Sequence, residues 1–232
     1  MKTPWMLDEL AHAGPEHLDP TFVAGFDRKQ GHPDSTKDLE IFTSHGLNDQ
    51  STVVDLGAGT GQFALAAART FGRVVAADVS AAMVGLLRER ATEAGLTNLE
   101  CVQAGCLSYE HPEGRVDGVF TRHALHQLPD FWKTVALDRI ARMLRPGGVL
   151  RLCDLIYDFR PSEAAEVFGQ WLDAAATDPA SGYTKDDYID HIRTEYSTYR
   201  WLLEPMLDVT GFEIVDVQFQ RRVYGAYTCI KR

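Results

Sequence analysis

The chain has 232 residues, of which 45% are hydrophobic and 24% are charged, and this balance fits one globular domain and excludes disordered and collagen-like proteins. The 33 acidic and 23 basic residues give a net charge of −10 without a Lys/Arg-rich run, which argues against a dedicated nucleic-acid-binding protein. The longest stretch without a charged residue, 56–68, is too short to span a bilayer, and the four scattered cysteines predict reduced thiols.

The first 45 residues are interrupted by prolines at positions 4, 15, 20 and 33. They predict a cap of short helices that lies over a main domain at 46–232. Asp8 and Glu9 stand where a secretory signal needs an apolar core. We therefore expect a cytoplasmic protein that does not enter a membrane.

Strand-like and helix-like patterns then alternate along the chain. Short β-branched apolar runs predict strands, and apolar residues at helical spacing predict the helices between them. The predicted strands are 51–56, 73–78, 99–104, 116–121 and 149–155, and the predicted helices are 61–71, 81–94 and about 129–144. The RPGG segment at 145–148 predicts the turn into the fifth strand. This alternation implies βαβ units and a parallel sheet.

The last part of the chain breaks this rhythm. Residues 158–206 are helical and polar-aromatic in pattern and predict an insertion after the fifth strand. Two further strand patterns, 212–219 and 223–230, are separated by only three residues. Because so short a connection forces a hairpin, the final pair is predicted to be antiparallel and the sheet to have seven strands.

A glycine loop directly follows the first predicted strand, in the sequence VVDLGAGTG at 53–61. Gly57 and Gly59 allow a tight turn and the close approach of a ligand, and the following helix offers unpaired N–H groups. Asp78 ends the second strand, where an acid can accept hydrogen bonds from both hydroxyls of a ribose. The loop and the acid together predict an adenosine site at the carboxyl edge of the sheet.

Three features distinguish this loop from a dinucleotide-binding one. Gln62 stands where the dinucleotide fingerprint requires a third glycine. Asp55 precedes the loop, where it would repel a pyrophosphate and suits a ligand with a cationic group. The antiparallel terminal hairpin is also foreign to the usual dinucleotide fold.

Four segments, VVDLGAGTG, AADVS, VDGVFTRHALHQLPD and LRPGGVLRLCD, resemble the ordered motifs of class I S-adenosylmethionine (SAM)-dependent methyltransferases. The resemblance covers 51–155 strongly and the terminal hairpin moderately. It implies a Rossmann-like α/β fold, namely a seven-stranded, mostly parallel sheet with an antiparallel terminal hairpin, helices on both faces and a helical cap. It also implies SAM as the cofactor.

The same resemblance assigns the cofactor-binding residues. The glycines would line the methionine half of SAM, Asp55 would organise its amino group through water, and Asp78 would hold the ribose. Many relatives have an aspartate where this chain has Cys106, so backbone groups at 105–107 would recognise adenine here. The implied residues are Asp55, Gly57, Ala58, Gly59, Thr60, Gly61, Asp78, Val79, Met83, Gly105, Cys106, Leu107 and Thr121. For Met83 a core position is an equal alternative.

Two histidines, His123 and His126, follow the fourth strand and are predicted to lie near the transferred methyl group. His126 is the predicted catalytic residue, as a general base. The alternative is that it bonds to the backbone and positions the loop, because many methyltransferases act by proximity alone. Their spacing would also suit a metal pair, but no third ligand is evident in the sequence, so no metal site is predicted.

The segment 155–205 is rich in aromatic residues and is predicted to contribute to an acceptor pocket with 22–29 and 121–126. Tyr157, Arg193 and Tyr196 are the predicted substrate-lining residues. The alternative is that these rings pack an ordinary helical pair onto the sheet.

The predicted function is methyl transfer from SAM to a small-molecule acceptor, without nucleic-acid or membrane partners. The alternatives are a protein or tRNA methyltransferase, a nicotinamide-dependent oxidoreductase, and a SAM-binding protein without catalysis. The sequence does not predict the acceptor, the methylated atom or the oligomeric state.

Overall fold

The computed structural model describes residues 4–30, 34–112 and 115–232, so residues 1–3 and 31–33 of the predicted cap lie outside the described residues. Its centre is one sheet with the strand order β3-β2-β1-β4-β5-β8-β7, and β6 pairs with β5 beside this path. The strands are β1 (Thr52–Leu56), β2 (Arg73–Asp78), β3 (Leu99–Gln103), β4 (Val116–Arg122), β5 (Leu144–Tyr157), β6 (Thr198–Tyr199), β7 (Phe212–Gln220) and β8 (Tyr224–Lys231).

The predicted fold class is confirmed. Strands β1 to β5 pair in parallel, and β8 pairs antiparallel with both β5 and β7. The hairpin turn between β7 and β8 places Arg221 and Arg222 at φ of 53° and 61°. Among the strands of the described residues, only the two-residue β6 lacks a predicted counterpart, because two residues are too few to show a period.

Helices cover both faces of the sheet. They are α1 (Pro20–Lys29), α2 (Thr36–Ser44), α3 (Gln62–Ala67), α4 (Ala81–Glu93), α5 (Asp130–Met143), α6 (Ala164–Asp173), α7 (Lys185–Thr194) and α8 (Arg200–Val209). Phe42 of α2, Phe63 of α3 and Leu87 of α4 belong to one core cluster, and Ile140 of α5 and Leu207 of α8 belong to the other. Successive strand residues point into opposite clusters, as the period of two requires. No helix in the described ranges is long and apolar enough to cross a membrane.

Strand β5 begins five residues before the predicted start. Leu144 pairs with Val116 and Val149 pairs with Gly118, so the four residues between Leu144 and Val149 bulge opposite Asp117 alone. Gly147 has a φ of 74° within this bulge. The RPGG segment is therefore an irregularity inside a continuous strand, and its glycine supplies the left-handed conformation that the bulge needs.

Helix α2 is fixed to the sheet by a buried ion-pair group. The Asp38 carboxylate accepts a hydrogen bond from Arg151 Nε at 2.8 Å and another from Arg122. Asp38 and Arg151 are 3% and 5% exposed. Within the predicted cap, α2 thus packs against the sheet, whereas the described segments before it lie over the carboxyl edge of the sheet.

The predicted insertion divides in the same way. Helix α8 packs against the sheet beside α5, whereas α6 and α7 lie over the carboxyl end of β5. There they share a third, mostly aromatic cluster that includes Tyr157, Phe159 and Trp171. Helix α1 joins this roof, since Lys29 Nζ lies 2.9 Å from Asp187 Oδ1 and Gln30 Nε2 donates to the Tyr183 hydroxyl at 2.7 Å.

Candidate active site

A cavity of about 1190 Å³ lies at the carboxyl edge of the sheet. Its floor is formed by the glycine loop after β1, the acid at the end of β2 and the loop after β4, and its roof by α1 and α7. Pockets for one small ligand commonly measure roughly 300–1,000 Å³. The cavity therefore has room for a cofactor and an acceptor side by side.

The glycine loop requires glycine on steric grounds at two positions. A Cβ on Gly57 would lie 2.4 Å from the Ala124 Cβ, and one on Gly61 would lie 2.0 Å from a Leu87 methyl carbon. Both residues also have left-handed backbone, with φ of 74° and 88°. The Gly57 and Ala58 amides both donate to the Ala77 carbonyl, which holds the loop against the end of β2.

The Asp78 carboxylate joins the two cofactor loops. One oxygen accepts a hydrogen bond from the Gly59 amide at 2.8 Å, and the other accepts from the Ser80 amide at 2.8 Å. Burial raises the pKa of Asp78, and the hydrogen bonds from Ser80 and Gly59 oppose the rise. The side chain lines the cavity with further acceptor capacity on both oxygens.

Asp55 also lines this cavity, and its buried carboxyl group has an oxygen without a hydrogen-bond partner among the described residues. Asp55 is 1% exposed, and this oxygen is Oδ2. Burial raises the pKa of Asp55 to about 8, although Arg122 opposes the rise, and Asp78 adds to it. A cationic ligand group is the natural partner for such an acid, because it favours the ionised form.

The segment 105–108 after β3 contains no acid and receives a carboxylate from elsewhere in the chain. Gly105 and Cys106 line the cavity, and Glu9 from the N-terminal segment lies beside them. The Leu107 amide donates to Glu9 Oε2 at 2.9 Å, and the Ser108 hydroxyl donates to the same oxygen at 3.1 Å. Burial raises the pKa of Glu9, and these hydrogen bonds oppose it.

The other predicted cofactor residues fall into two groups. Ala58, Gly59, Thr60, Val79 and Met83 line the cavity. Within the described chain, Gly61, Leu107 and Thr121 do not line it. Thr121 is fully buried inside β4, and Met83 is 1% exposed, so Met83 combines a core position with a cavity wall.

Sequence reasoning missed the contact that ties α1 to the glycine loop. The Thr60 hydroxyl donates to the Asp27 carboxylate, and Arg90 Nη1 lies 2.5 Å from Asp27 Oδ2. Burial would raise the pKa of Asp27, but the bonds from Thr60 and Arg90 hold it below its usual value. Nothing in the local sequence of α1 shows this role, because the partners lie on other elements.

His126 lies at the other end of the cavity, where Asp154 of β5 fixes it. Its Nδ1 lies 2.5 Å from Asp154 Oδ1. Asp154 Oδ2 accepts hydrogen bonds from the backbone amides of Leu125 and His126 at 2.9 and 3.2 Å. Asp154 therefore holds both the loop and the orientation of the ring.

Glu195, which belongs to the predicted insertion, lies next to the second ring nitrogen of His126. Nε2 lies 3.0 Å from Glu195 Oε2, and the same oxygen lies 2.5 Å from His191 Nδ1. Burial disfavours the charged ring, but the carboxylates of Asp154 and Glu195 outweigh it and raise the pKa of His126 to about 9. The ring is thus protonated at neutral pH, and its role as a general base stays a prediction.

His123 lines the cavity next to His126 in a strained conformation. Its φ is 51°, and its Nδ1 is buried without a hydrogen-bond partner among the described residues. Burial lowers the pKa of His123 to about 4, against the attraction of Asp154. This histidine is therefore neutral at physiological pH.

The three predicted substrate residues have different environments. Tyr196 lines the cavity and is 40% exposed. Tyr157 is 7% exposed and packs against Phe159 and Phe168 in the aromatic cluster, as the alternative interpretation describes. Neither Tyr157 nor Arg193 is among the described residues that line the cavity.

Comparisons with known proteins agree with this geometry. The family model described as "Methyltransferase domain" matches residues 53–148. The ubiquinone/menaquinone biosynthesis C-methyltransferase UbiE of Escherichia coli O1:K1 / APEC is 33% identical over 187 residues, which are 74% of this chain and 70% of that protein. The UbiE protein of Hydrogenovibrio crunogenus is 30% identical over 144 residues, so the match spans only 56% of its length and 56% of this chain.

The fold is shared with solved methyltransferase structures. The magnesium protoporphyrin IX methyltransferase of Synechocystis PCC 6803, solved with bound SAM, has a TM-score of 0.67 to this chain. The alignment covers 99% of this chain and 100% of that one at 14% sequence identity. At this identity the likeness concerns the fold.

Proposed function

The chain belongs to the class I SAM-dependent methyltransferase family, and from this premise we propose that it methylates a small molecule bound within the cavity. The cavity itself carries the proposal, since it runs from Asp55 and Asp78 to His126 beneath the roof of α1 and α7. A roofed cavity suits a small acceptor better than a protein or a folded tRNA. The net charge of −10 also disfavours tRNA.

Within this proposal the cofactor lies over β1, β2 and β3. Asp78 accepts hydrogen bonds from the ribose, and Asp55 faces the cationic amino group. Cys106 has a weakly polar thiol where the family resemblance implies an acid, and we propose that the neighbouring Glu9 carboxylate accepts a hydrogen bond from the amino group of adenine instead. The glycine loop then holds the methionine half.

Bound in this placement, SAM would present its methyl group toward the loops after β4 and β5. It would supply an activated methyl group whose bonding electron pair stays on sulfur, while the acceptor would provide the electron pair of the new bond to carbon. The acceptor loses a proton before or during this step. His126, with Glu195 beside its Nε2, lies at this end, and we propose that His126 assists the loss of the proton after its own Nε2 proton has passed to Glu195.

The walls of the acceptor end indicate the class of acceptor. Aromatic side chains of Tyr188, Tyr196 and Tyr224 offer flat surfaces for stacking. Asp190 faces the same space and disfavours an anionic acceptor, whereas the charge of Glu195 is paired with His126. A flat acceptor without negative charge fits both features, and the quinone chemistry in the names of the UbiE relatives is consistent with it.

The test uses SAM with a labelled methyl group and four acceptor pools, namely neutral phenols and quinols, aromatic carboxylates, unfolded protein, and tRNA. We expect label in the neutral aromatic pool. Label confined to protein or tRNA would contradict the proposal, and absence of SAM binding would contradict its premise.

A further inference from the structure

Three side-chain atoms from two distant parts of the chain converge on the acceptor end of the cavity. His126, His191 and Glu195 each offer one ligand atom, and these atoms lie within 4.8 Å of one another. Glu195 Oε2 lies 3.0 Å from the His126 nitrogen and 2.5 Å from the His191 nitrogen. Two imidazole nitrogens and one carboxylate oxygen form a common ligand set for divalent transition metals.

The opposite nitrogen of each histidine has its own partner. His126 Nδ1 bonds to Asp154 Oδ1 at 2.5 Å, and His191 Nε2 bonds to the Ser197 hydroxyl at 2.8 Å. Metal-binding histidines typically have such an arrangement, because a partner on one nitrogen fixes the ring and directs the other nitrogen to the metal. These partners hold the two rings so that His126 Nε2 and His191 Nδ1 face Glu195.

Glu195 Oε2 is fully buried between the two ring nitrogens. Its contacts of 3.0 Å to His126 and 2.5 Å to His191 are ion pairs in which protons on the rings hold the carboxylate. Ligand atoms around a tetrahedral zinc ion lie roughly 3.3 Å apart, so a metal ion would replace these protons after a small outward shift of the His191 ring.

We propose that His126, His191 and Glu195 bind a divalent first-row transition-metal ion, such as zinc, at the acceptor end of the cavity. All three residues line that cavity, so an ion held by them would be accessible to the acceptor. Such an ion acts as a Lewis acid and lowers the pKa of a hydroxyl that it binds. The ion's role in methyl transfer depends on the proposed function, whereas its binding does not.

A second group, formed by His123, His126 and Asp154, is also close enough to bind a metal. It is less suitable because the oxygens of Asp154 already accept hydrogen bonds from the backbone amides of Leu125, His126 and Leu155. Asp154 is also needed to orient His126. The Glu195 carboxylate, in contrast, pairs with the two rings that would share the metal ion with it.

Helix geometry explains how the insertion supplies two ligands at once. His191 lies in the last turn of α7 and Glu195 caps its C-terminus, so the two are four residues apart and share one side of the helix. The sequence shows no third ligand near His123 and His126 because this ligand pair comes from an element 65 residues further along the chain. The fold of α7 over the end of β5 brings the two parts together.

Cobalt(II) is the probe for this site, because its visible absorption reports on bound nitrogen and oxygen ligands. Protein treated with a chelator and dialysed is titrated with Co²⁺ and then with competing Zn²⁺, without cofactor or acceptor. We expect one Co²⁺ per chain, displaced by one Zn²⁺. We expect Glu195→Gln and His191→Gln to weaken binding by about tenfold or more, and Asp154→Asn by about 10–100-fold.

His45→Gln and Glu93→Gln are matched controls on exposed positions outside the cavity, and they should bind Co²⁺ like the parent protein. Calorimetry with S-adenosylhomocysteine on each variant shows whether it is folded and tests the family assignment separately. Intact cofactor binding without stoichiometric Co²⁺ binding would overturn this inference alone. Binding that is unchanged in both Glu195→Gln and His191→Gln would overturn it equally.

Discussion

The Asp78 carboxylate accepts a hydrogen bond from the backbone amide of Gly59 at 2.8 Å. This bond connects the end of β2 with the glycine loop that follows β1. The residue proposed to hold the ribose therefore also shapes the loop proposed to hold the methionine half. A change at Asp78 acts on both halves of the cofactor.

Replacing Asp78 with alanine should weaken binding of S-adenosylhomocysteine by more than tenfold. Hydrogen bonds to a charged group are worth roughly 1.5–3 kcal/mol each, and this variant loses those to the ribose and to Gly59. Calorimetry measures the affinity, and thermal unfolding checks the fold. Asp49→Ala, at an exposed position, is the control, and a loss of less than about threefold in Asp78→Ala would rule out the ribose role.

Cofactor affinity should rise with pH between about 6 and 8. Burial raises the pKa of Asp55 to about 8, so its carboxyl is protonated at pH 6 in the free enzyme. Pairing with a cationic amino group requires the carboxylate, and binding must therefore release a proton below pH 8. Calorimetry in buffers with different ionisation enthalpies measures this release. In Asp55→Asn the release should disappear, and an unchanged release would assign it to another group.

Glu9→Gln should lower the affinity for S-adenosylhomocysteine several-fold and leave the affinity for S-inosylhomocysteine unchanged. The inosine analogue lacks the adenine amino group that is proposed to donate a hydrogen bond to the Glu9 carboxylate. Equal losses for both ligands would instead mean that Glu9 only shapes the loop at Leu107 and Ser108. Glu40→Gln, on the exposed side of α2, is the control.

His126→Asn should lower kcat by on the order of 10²-fold once an acceptor is known. The affinity for S-adenosylhomocysteine should stay within about twofold, because the ring pairs with Asp154 and Glu195, neither of which is proposed to bind the cofactor. Steady-state kinetics and calorimetry on the same preparation give the two values. Unchanged turnover would leave His126 with a purely positioning role.

Asp38→Ala should destabilise the fold by about 3–5 kcal/mol, because it leaves the buried Arg151 without its carboxylate partner. Chemical denaturation measures the free energy of unfolding. Glu40 is exposed on the same helix, so Glu40→Ala should change that energy little. Similar losses in the two variants would show that the buried ion pair contributes nothing specific.

Local patterns predicted the sheet well because each signal lies within a few consecutive residues. The apolar run of β1 and the glycines at 57–61 are examples, since strand, loop and helix each depend on near neighbours. The RPGG segment shows the limit of such patterns. Its turn residues are present, but pairing with β4 incorporates them into β5 as a bulge.

The surroundings of the candidate site depend on contacts between distant segments. Glu9, Asp27 and Glu195 reach the cavity because whole elements pack over the sheet edge, and their own neighbours in sequence do not show it. Tyr157 shows a further limit. Its position at the end of a strand near the site is as expected, but its side chain packs into the aromatic cluster.

That aromatic cluster gives the roof of the cavity a hydrophobic support separate from the two clusters of the sheet. Substitutions far apart and without shared partners have nearly additive effects on stability. Changes in α6 and α7 can therefore alter which acceptor fits while the cofactor half keeps its stability. Such a division lets one cofactor-binding sheet evolve new acceptor preferences without being rebuilt each time.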